Sequence, residues 1–382
     1  MVEVRRGFLN TSSDGRGRCF SLVVVAVIAV GCEPREDWPP SFPKSVYTYK
    51  KFGQGDDKPF ESAPDLRAKV DEILVAQFGT PANPKIEGAT DERNFAIHKG
   101  SRLFRMHCMY CHGPAGGGDG ASAKAYFPLP RDYRAGMFKW KSTPGSTKPL
   151  REDLLRTISH GVSGTSMPAF GRLALEQRQQ LVEYVIFLSQ RGETEFRLLK
   201  LLTEAPQESS ELKDFLESFA DDAKSEAKKV AQSWETAKAA TVPPRNEAID
   251  NDEALRRASI KRGLDLYMGP AANCVKCHGV DGKGRRQVLP NVAVTDDKDH
   301  WGNPAVPRDL NEGDYRGGRR LEDTYLRIQQ GIAAAGMPAF ANLKPEEIWD
   351  LVRFVRAVPY RPDLWPGGKA QPEPPHLPPV KQ

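Results

Sequence analysis

The chain is poor in cysteine, with six in 382 residues, and four of these fall in two close pairs, Cys108 with Cys111 and Cys274 with Cys277. Cys19 lies at the front of an N-terminal apolar run and Cys32 at its end, so no cysteine is left over for a structural disulfide in an oxidising compartment. Long apolar runs are missing too. The stretch from Phe20 to Gly31 is too short to span a bilayer, which takes about 20 residues, but it suits the core of an export signal placed behind Arg5, Arg6, Arg16 and Arg18. An excess of one charge is also lacking: 55 basic and 50 acidic residues leave a net charge of +5. No basic block interleaved with aromatics is present to track a nucleic-acid backbone, so no nucleic-acid partner is expected. A hydrophobic fraction of 39% over this length suits several modest cores better than one large one.

What is present is one pentapeptide, twice. The stretches "HCMYCHGPAGGGDG" from His107 and "NCVKCHGVDGKG" from Asn273 both contain Cys-x-x-Cys-His, 166 residues apart. A Cys-x-x-Cys alone could be a redox dithiol or half of a zinc site. The histidine that follows immediately points to a covalently attached c-type haem, which needs two thiols spaced for two vinyl groups on one porphyrin edge and an imidazole beside them to rise under the iron. A zinc site would draw its ligands from both copies, yet each copy has its own full set of flanking signals. No βαβ pattern surrounds either one, as a thioredoxin-like dithiol would require.

The flanks repeat as well. Each histidine is followed by a glycine-rich turn, and further on come "TSMPAF", ending at Phe170, and "AGMPAF", ending at Phe340. An unbranched thioether on an extended loop, its direction fixed by the following proline, suits the vacant face of a haem iron. Met167 follows His112 by 55 residues and Met337 follows His278 by 59, intervals close enough to indicate an internal repeat. Gly100 and Phe104 lie one helical turn apart before the first motif, as do Gly263 and Tyr267 before the second. After each Met-Pro, Leu181, Tyr184, Val185 and Leu188, or Ile348, Leu351, Val352 and Val355, recur at i, i+3, i+4 and i+7. The pattern predicts two helices that cross where glycine lets the backbones approach, with Tyr184 and Phe354 at the crossing.

On these residues the chain resembles the class I cytochrome c family twice, over roughly 95 to 192 and 256 to 360. The resemblance implies an all-α fold around each of two covalently bound haem c groups. It carries over Cys108, Cys111, Cys274 and Cys277 as attachment residues, with His112 and Met167 as axial ligands of the first iron and His278 and Met337 of the second. The shared "PRDY" and "PRDL", at Pro130 to Tyr133 and Pro307 to Leu310, are similar to an omega-loop subtype of membrane-associated respiratory cytochromes. In such domains a proline carbonyl accepts the proximal imidazole N–H, with Pro128 or Pro130 and Pro290 or Pro307 as the candidates. Met137 and His160 compete with Met167, whereas Met268 precedes its motif too closely to reach the other haem face. Met106 and Met109 are expected to pack near their own haem, and His98, His300 and His376 to be surface residues.

The rest of the chain is expected to organise these two domains. Ala29-Val30-Gly31-Cys32 resembles the lipobox of bacterial lipoproteins, with Ala29 where that family usually has Leu, and implies lipid attachment at Cys32. A signal segment over 1–32 leads to a tether and short helix over 33–93, the helix running from Ala63 to Phe78. Cytochrome c domains over 94–192 and 251–360 are joined by a helical linker over 193–250, and a proline-rich tail over 361–382 is expected to be mobile or draped on the surface. In the linker, Leu212, Phe215, Leu216, Phe219, Ala223, Ala227, Val230 and Trp234 line one side of a long helix, which Val242-Pro243-Pro244 ends.

Histidine with methionine at both irons leaves no open coordination position, so the expected function is electron transfer and not catalysis. The expected protein is a dihaem carrier in a respiratory chain, passing electrons between a quinol-oxidising complex and a terminal oxidase or a soluble acceptor such as a cytochrome. It would be exported and held by lipid on the periplasmic side of a bacterial membrane. The enzymatic alternatives are a dihaem peroxidase, which needs one haem able to vacate a position, and an enzyme like thiosulfate dehydrogenase, which uses a cysteine ligand where this chain has none to spare. A third alternative is a cytochrome subunit of a larger respiratory complex.

Overall fold

A computed structural model describes residues 38–39, 41–43, 64–203, 209–284 and 298–368. The expected signal segment with Cys32, the candidate Pro290, His376 and most of the tether and tail lie outside the described residues. In chain order the helices are α1 (Pro64–Phe78), α2 (Asp91–His107), α3 (Met109–His112), α4 (Arg151–His160), α5 (Leu175–Thr203), α6 (Ser209–Glu235), α7 (Glu247–Asn251), α8 (Glu253–Met268), α9 (Val275–His278), α10 (Leu321–Gln330) and α11 (Pro345–Ala357). No strand forms among the described residues, whose only β pairings are isolated bridges. The fold is all-α, as the sequence predicts, and helices α2 to α5 recur in order as α8 to α11.

Each copy is built on the crossing of its first and last helix. α2 begins where Thr90 Oγ1 accepts the Arg93 N–H at 3.3 Å, and α8 where Asp252 Oδ1 accepts the Leu255 N–H at 2.8 Å, each satisfying a backbone donor of the first turn. Gly100 of α2 lies directly on the Gln180 carbonyl of α5, and a Cβ on it would stand 2.9 Å from Tyr184 Cβ. Gly263 of α8 meets the Asp350 carbonyl of α11 in the same way, with Phe354 Cβ 2.7 Å from where its own Cβ would be. Tyr184 packs on Phe104 at a ring separation of 5.3 Å, and Phe354 on Tyr267 at 5.3 Å. Full burial of aromatic and aliphatic side chains such as these stabilises by roughly 1.5–3 kcal/mol each.

The two last helices differ in what covers their outer side. On α11 the buried residues include the predicted Ile348, Leu351, Val352 and Val355. On α5 the predicted Leu181, Tyr184, Val185 and Leu188 are buried, but so are Val182, Ile186, Phe187, Leu198 and Leu199. The extra burial arises because α1, α6 and the short segment at Phe42 pack on α5 from outside: Phe187 meets Phe78 of α1 at 6.1 Å and Phe42 at 5.8 Å. Polar residues caught under this cover are ion-paired, with Glu195 accepting from Arg67 at 2.9 Å and from Arg191 at 3.2 Å. That packing carries α5 past 192 to Thr203.

α6 buries Phe219, Ala223, Val230 and Trp234, four of the residues on the predicted side. It ends at Glu235, seven residues before Val242. The chain beyond it is extended and is held by both domains: Ala240 N–H donates to the Ser142 carbonyl at 2.8 Å, and the Pro243 carbonyl accepts from Trp349 Nε1 at 3.2 Å. The prolines therefore sit inside a pinned segment and do not form the helix stop. The start of the tail also departs from expectation. Trp365 is buried against Tyr267 and Phe354, at 5.3 and 5.2 Å, and its Nε1 donates to Asn311 Oδ1 at 2.6 Å. It caps the second core, on which no counterpart of α1 and α6 packs among the described residues.

Candidate haem-binding sites

In each motif a single helical turn gathers the two thiols and the imidazole. The His112 N–H donates to the Cys108 carbonyl and that of His278 to the Cys274 carbonyl, both at 2.9 Å, so Cys108, Cys111 and His112, and likewise Cys274, Cys277 and His278, line one cavity. Burial pushes the Cys108 thiol up to about 12 and the Cys274 thiol up to about 11, with the partner cysteine adding to the rise in each case.

The imidazoles are oriented identically. Nδ1 of His112 lies 3.1 Å from the Arg131 carbonyl, and Nδ1 of His278 lies 3.1 Å from the Arg308 carbonyl. Burial pushes His112 down to about 4, against the opposing effect of that hydrogen bond, and lowers His278 for the same reason. A neutral ring donating from Nδ1 keeps the lone pair of Nε2 available for a metal. The acceptors are thus arginine carbonyls and not those of Pro128, Pro130 or Pro307. Successive carbonyls of an extended segment point in different directions: the Pro130 carbonyl faces Gly118 and the Pro307 carbonyl faces Gly284, which leaves the next one in each Pro-Arg-Asp for histidine. Tyr133, whose ring stacks on His112 at 4.7 Å, is replaced by Leu310 in the second copy. The sequence displayed both residues within a shared motif without indicating this contact.

The methionine loops repeat with the same closure. Gly161 caps the end of α4 and Gly331 that of α10, with φ of 68° and 65°, a region that favours glycine. A Cβ at either position would stand 2.5 Å from the carbonyl oxygen of Met167 or Met337. Those carbonyls accept from Val162 N–H at 3.1 Å and Ile332 N–H at 2.9 Å, while Phe170 and Phe340 N–H return to Ile158 and Ile328 at 2.9 and 3.1 Å. Met167 and Met337 both line the cavity; Met137, Met268 and His160 do not, and His160 is exposed. Met109 packs on the first core, but Met106 is 67% exposed and so does not pack as expected. His98 is half-buried on α2, and His300 stands edge-on to Trp301 at 5.3 Å, so it is no plain surface residue.

The cavity is continuous across both domains. It measures about 1580 Å³ and reaches both Cys-x-x-Cys-His motifs and both methionines, beyond the roughly 300–1,000 Å³ of a single small-molecule site. Its wall is apolar near the motifs, with Phe104, Tyr133, Leu181, Tyr267 and Leu351, and cationic where the domains meet, with Arg131, Lys139 and Arg327. Burial pushes Arg131 and Arg327 down to about 10, and Arg327 is lowered further by the nearby Arg156. Arg327 Nε is buried with no hydrogen-bond partner among the described residues. Arg131 and Lys139 share the single carboxylate of Asp299, and Arg327 donates there only to carbonyls, so the seam has room for further negative charge; a porphyrin with two carboxylates supplies an apolar face and charge of that sign. The residues therefore fit two covalent haems, which supply one-electron iron chemistry when bound.

Two family models match the two regions that carry the motifs. Residues 95–185 match the family model described as cytochrome c oxidase, cbb3-type, subunit III, and residues 260–359 match that described as cytochrome c. Over 119 residues the chain is 33% identical to the cbb3-type cytochrome c oxidase subunit FixP of Sinorhizobium medicae (strain WSM419), covering 28% of this chain and 34% of that protein. The chain thus spans about a third of the curated relative's length. A chain of the Kuenenia stuttgartiensis reducing HAO-like protein complex Kustc0457/Kustc0458 superposes with a TM-score of 0.49 at 26% identity, over 68% of this chain and 95% of that one. With a cytochrome c domain matched in each half and two c-type haems to attach, this chain belongs to the class I cytochrome c family as a tandem, dihaem member.

Proposed function

We propose that this dihaem cytochrome is an electron carrier and not an enzyme, relaying electrons between a quinol-oxidising complex and a terminal oxidase or soluble cytochrome. The observation that carries the reading is the presence of Met167 and Met337 in the same cavity wall as His112 and His278. Each histidine, held by a carbonyl at Nδ1, offers Nε2 to the iron, and each methionine offers sulfur. Two such pairs would hold one haem iron each and would leave no position for a substrate. The thioether favours the ferrous state, so histidine with methionine places the reduction potential above that of bis-histidine ligation. The apolar residues near the motifs would limit water at the bound iron and the reorganisation when one electron arrives.

The relative named as a cbb3-type oxidase subunit supports a terminal oxidase as the acceptor, with this chain as free carrier or as bound subunit. Lipid on Cys32 would confine the protein to the periplasmic membrane surface and raise its effective concentration near such partners. Two measurements test this reading. Reduced full-length protein should be reoxidised by membranes containing a terminal oxidase at a rate that an oxidase inhibitor abolishes; inhibitor-insensitive reoxidation would refute the acceptor. Cys32→Ser should move the protein from the membrane to the soluble fraction, and unchanged membrane association would refute the anchor.

A further inference from the structure

The cavity wall carries an arrangement at the junction of the two domains that neither domain has alone. The Arg131 guanidinium, from the first domain, lies 3.7 Å from the centre of the Trp301 ring of the second, with Nη1 3.8 Å from Asp299 Oδ2. Lys139 Nζ reaches the same Asp299 oxygen at 2.9 Å. From the second domain, Arg327 donates to the Lys139 carbonyl at 3.0 Å and to the Lys141 carbonyl. Carbonyls and not carboxylates receive these two Arg327 donors, and Nε of Arg327 and Nε1 of Trp301 are buried with no hydrogen-bond partner among the described residues. Arg131, Lys139, Arg327 and Asp299 all face the cavity that both motifs share.

We propose that this seam is one electrostatic site serving both haems: Arg131, Lys139 and Arg327 together hold haem carboxylates at the junction, and through them the reduction of each centre is coupled to the charge of the other. The cations come from both domains and open on a cavity common to both irons, so their charge acts on both. A cation near a haem favours the ferrous form, which carries one positive charge fewer, and an anion favours the ferric form. Asp299, paired to Arg131 and Lys139, sets the balance. Because Arg131 also supplies the carbonyl that orients His112, one residue links the proximal ligand of the first iron to the wall of the second domain. The proposal goes beyond the carrier reading and holds equally if the protein proves to be an enzyme.

The test is potentiometric titration of the full-length holoprotein followed by visible spectra, which resolves one reduction step for each haem. Arg131→Gln keeps the backbone carbonyl and removes the charge; it should lower both midpoints, changing each reduction constant by about three- to tenfold. Asp299→Asn should raise both. Arg327→Gln, whose side chain touches no ligating residue, repeats the first test if Arg131→Gln fails to retain two haems. Movement of a single midpoint in these variants, with the other unchanged, would overturn the proposal, as would two unmoved midpoints. Loss of electron transfer to an oxidase would not bear on it, so the two readings fail separately.

Discussion

Gly263 packs face to face with Phe354: a Cβ added to the glycine would stand 2.7 Å from Phe354 Cβ and would overlap the Asp350 carbonyl oxygen. Because one obstacle is backbone, no side-chain rotation relieves it. Gly263→Ala is expected to destabilise the second domain by about 1–3 kcal/mol, and Gly100→Ala the first by a similar amount through Gln180 and Tyr184. Denaturant unfolding of each variant checks this, and an unchanged midpoint for both would show that the crossing is looser than described.

Met167 and Met337 are the sulfur ligands expected at the two irons. Met167→Ala and Met337→Ala should each remove half of the far-red methionine-to-iron absorption and lower one reduction potential. Met137→Ala and His160→Ala should leave spectrum and potentials unchanged, since neither residue lines the cavity. A full far-red band in Met167→Ala would reassign the first ligand.

Trp234 anchors α6 to the first domain, with its ring edge-on to Phe138 at 5.9 Å and Nε1 3.4 Å from Glu193 Oε1. Trp234→Ala should cost about 3–5 kcal/mol and raise amide hydrogen exchange across 209–235, with the far-red band retained. Exchange unchanged over that helix would mean that it is not held by this contact.

Lys141 gives a pH signature. Its ammonium is buried and donates to the Thr143 carbonyl at 2.7 Å; burial first, and then the charge of Arg327, push it down to about 8 from 10.5. Below pH 8 the folded and unfolded chains both hold this proton, and the cost of burying the charge is present in full. Between those two values the unfolded chain binds more protons than the folded one, so stability rises with pH through that window. Relative to Lys141→Met, the wild type should gain stability between about pH 8 and about pH 10.5 in denaturant titrations. Parallel pH curves would contradict the assignment.

Much of each domain was legible in the sequence because its signals are local and come twice. The Cys-x-x-Cys-His turns, the Met-Pro loops, and the glycine and aromatic spacings of the crossing helices each occupy a few neighbouring residues. The proximal acceptors were misplaced by one residue because composition does not reveal which way a carbonyl turns in an extended segment. The similar Cys-x-x-Cys-His to Met intervals also hid compensating changes: the Arg131 carbonyl lies 19 residues beyond His112, whereas Arg308 lies 30 beyond His278. The common cavity and its cations were not legible at all. Lys139 and Asp299 are 160 residues apart, and an ion pair between loops has no period to read. Trp365, in a proline-rich stretch, looked like tail and proved to be core.

The account rests on full coordination of both irons by His112 with Met167 and His278 with Met337. The most direct test is the electron paramagnetic resonance spectrum of the oxidised full-length protein at neutral pH, recorded with its far-red absorption. Two low-spin ferric signals, each accounting for one haem and each accompanied by its share of the methionine-to-iron band, are predicted. A high-spin signal accounting for a whole haem would contradict it.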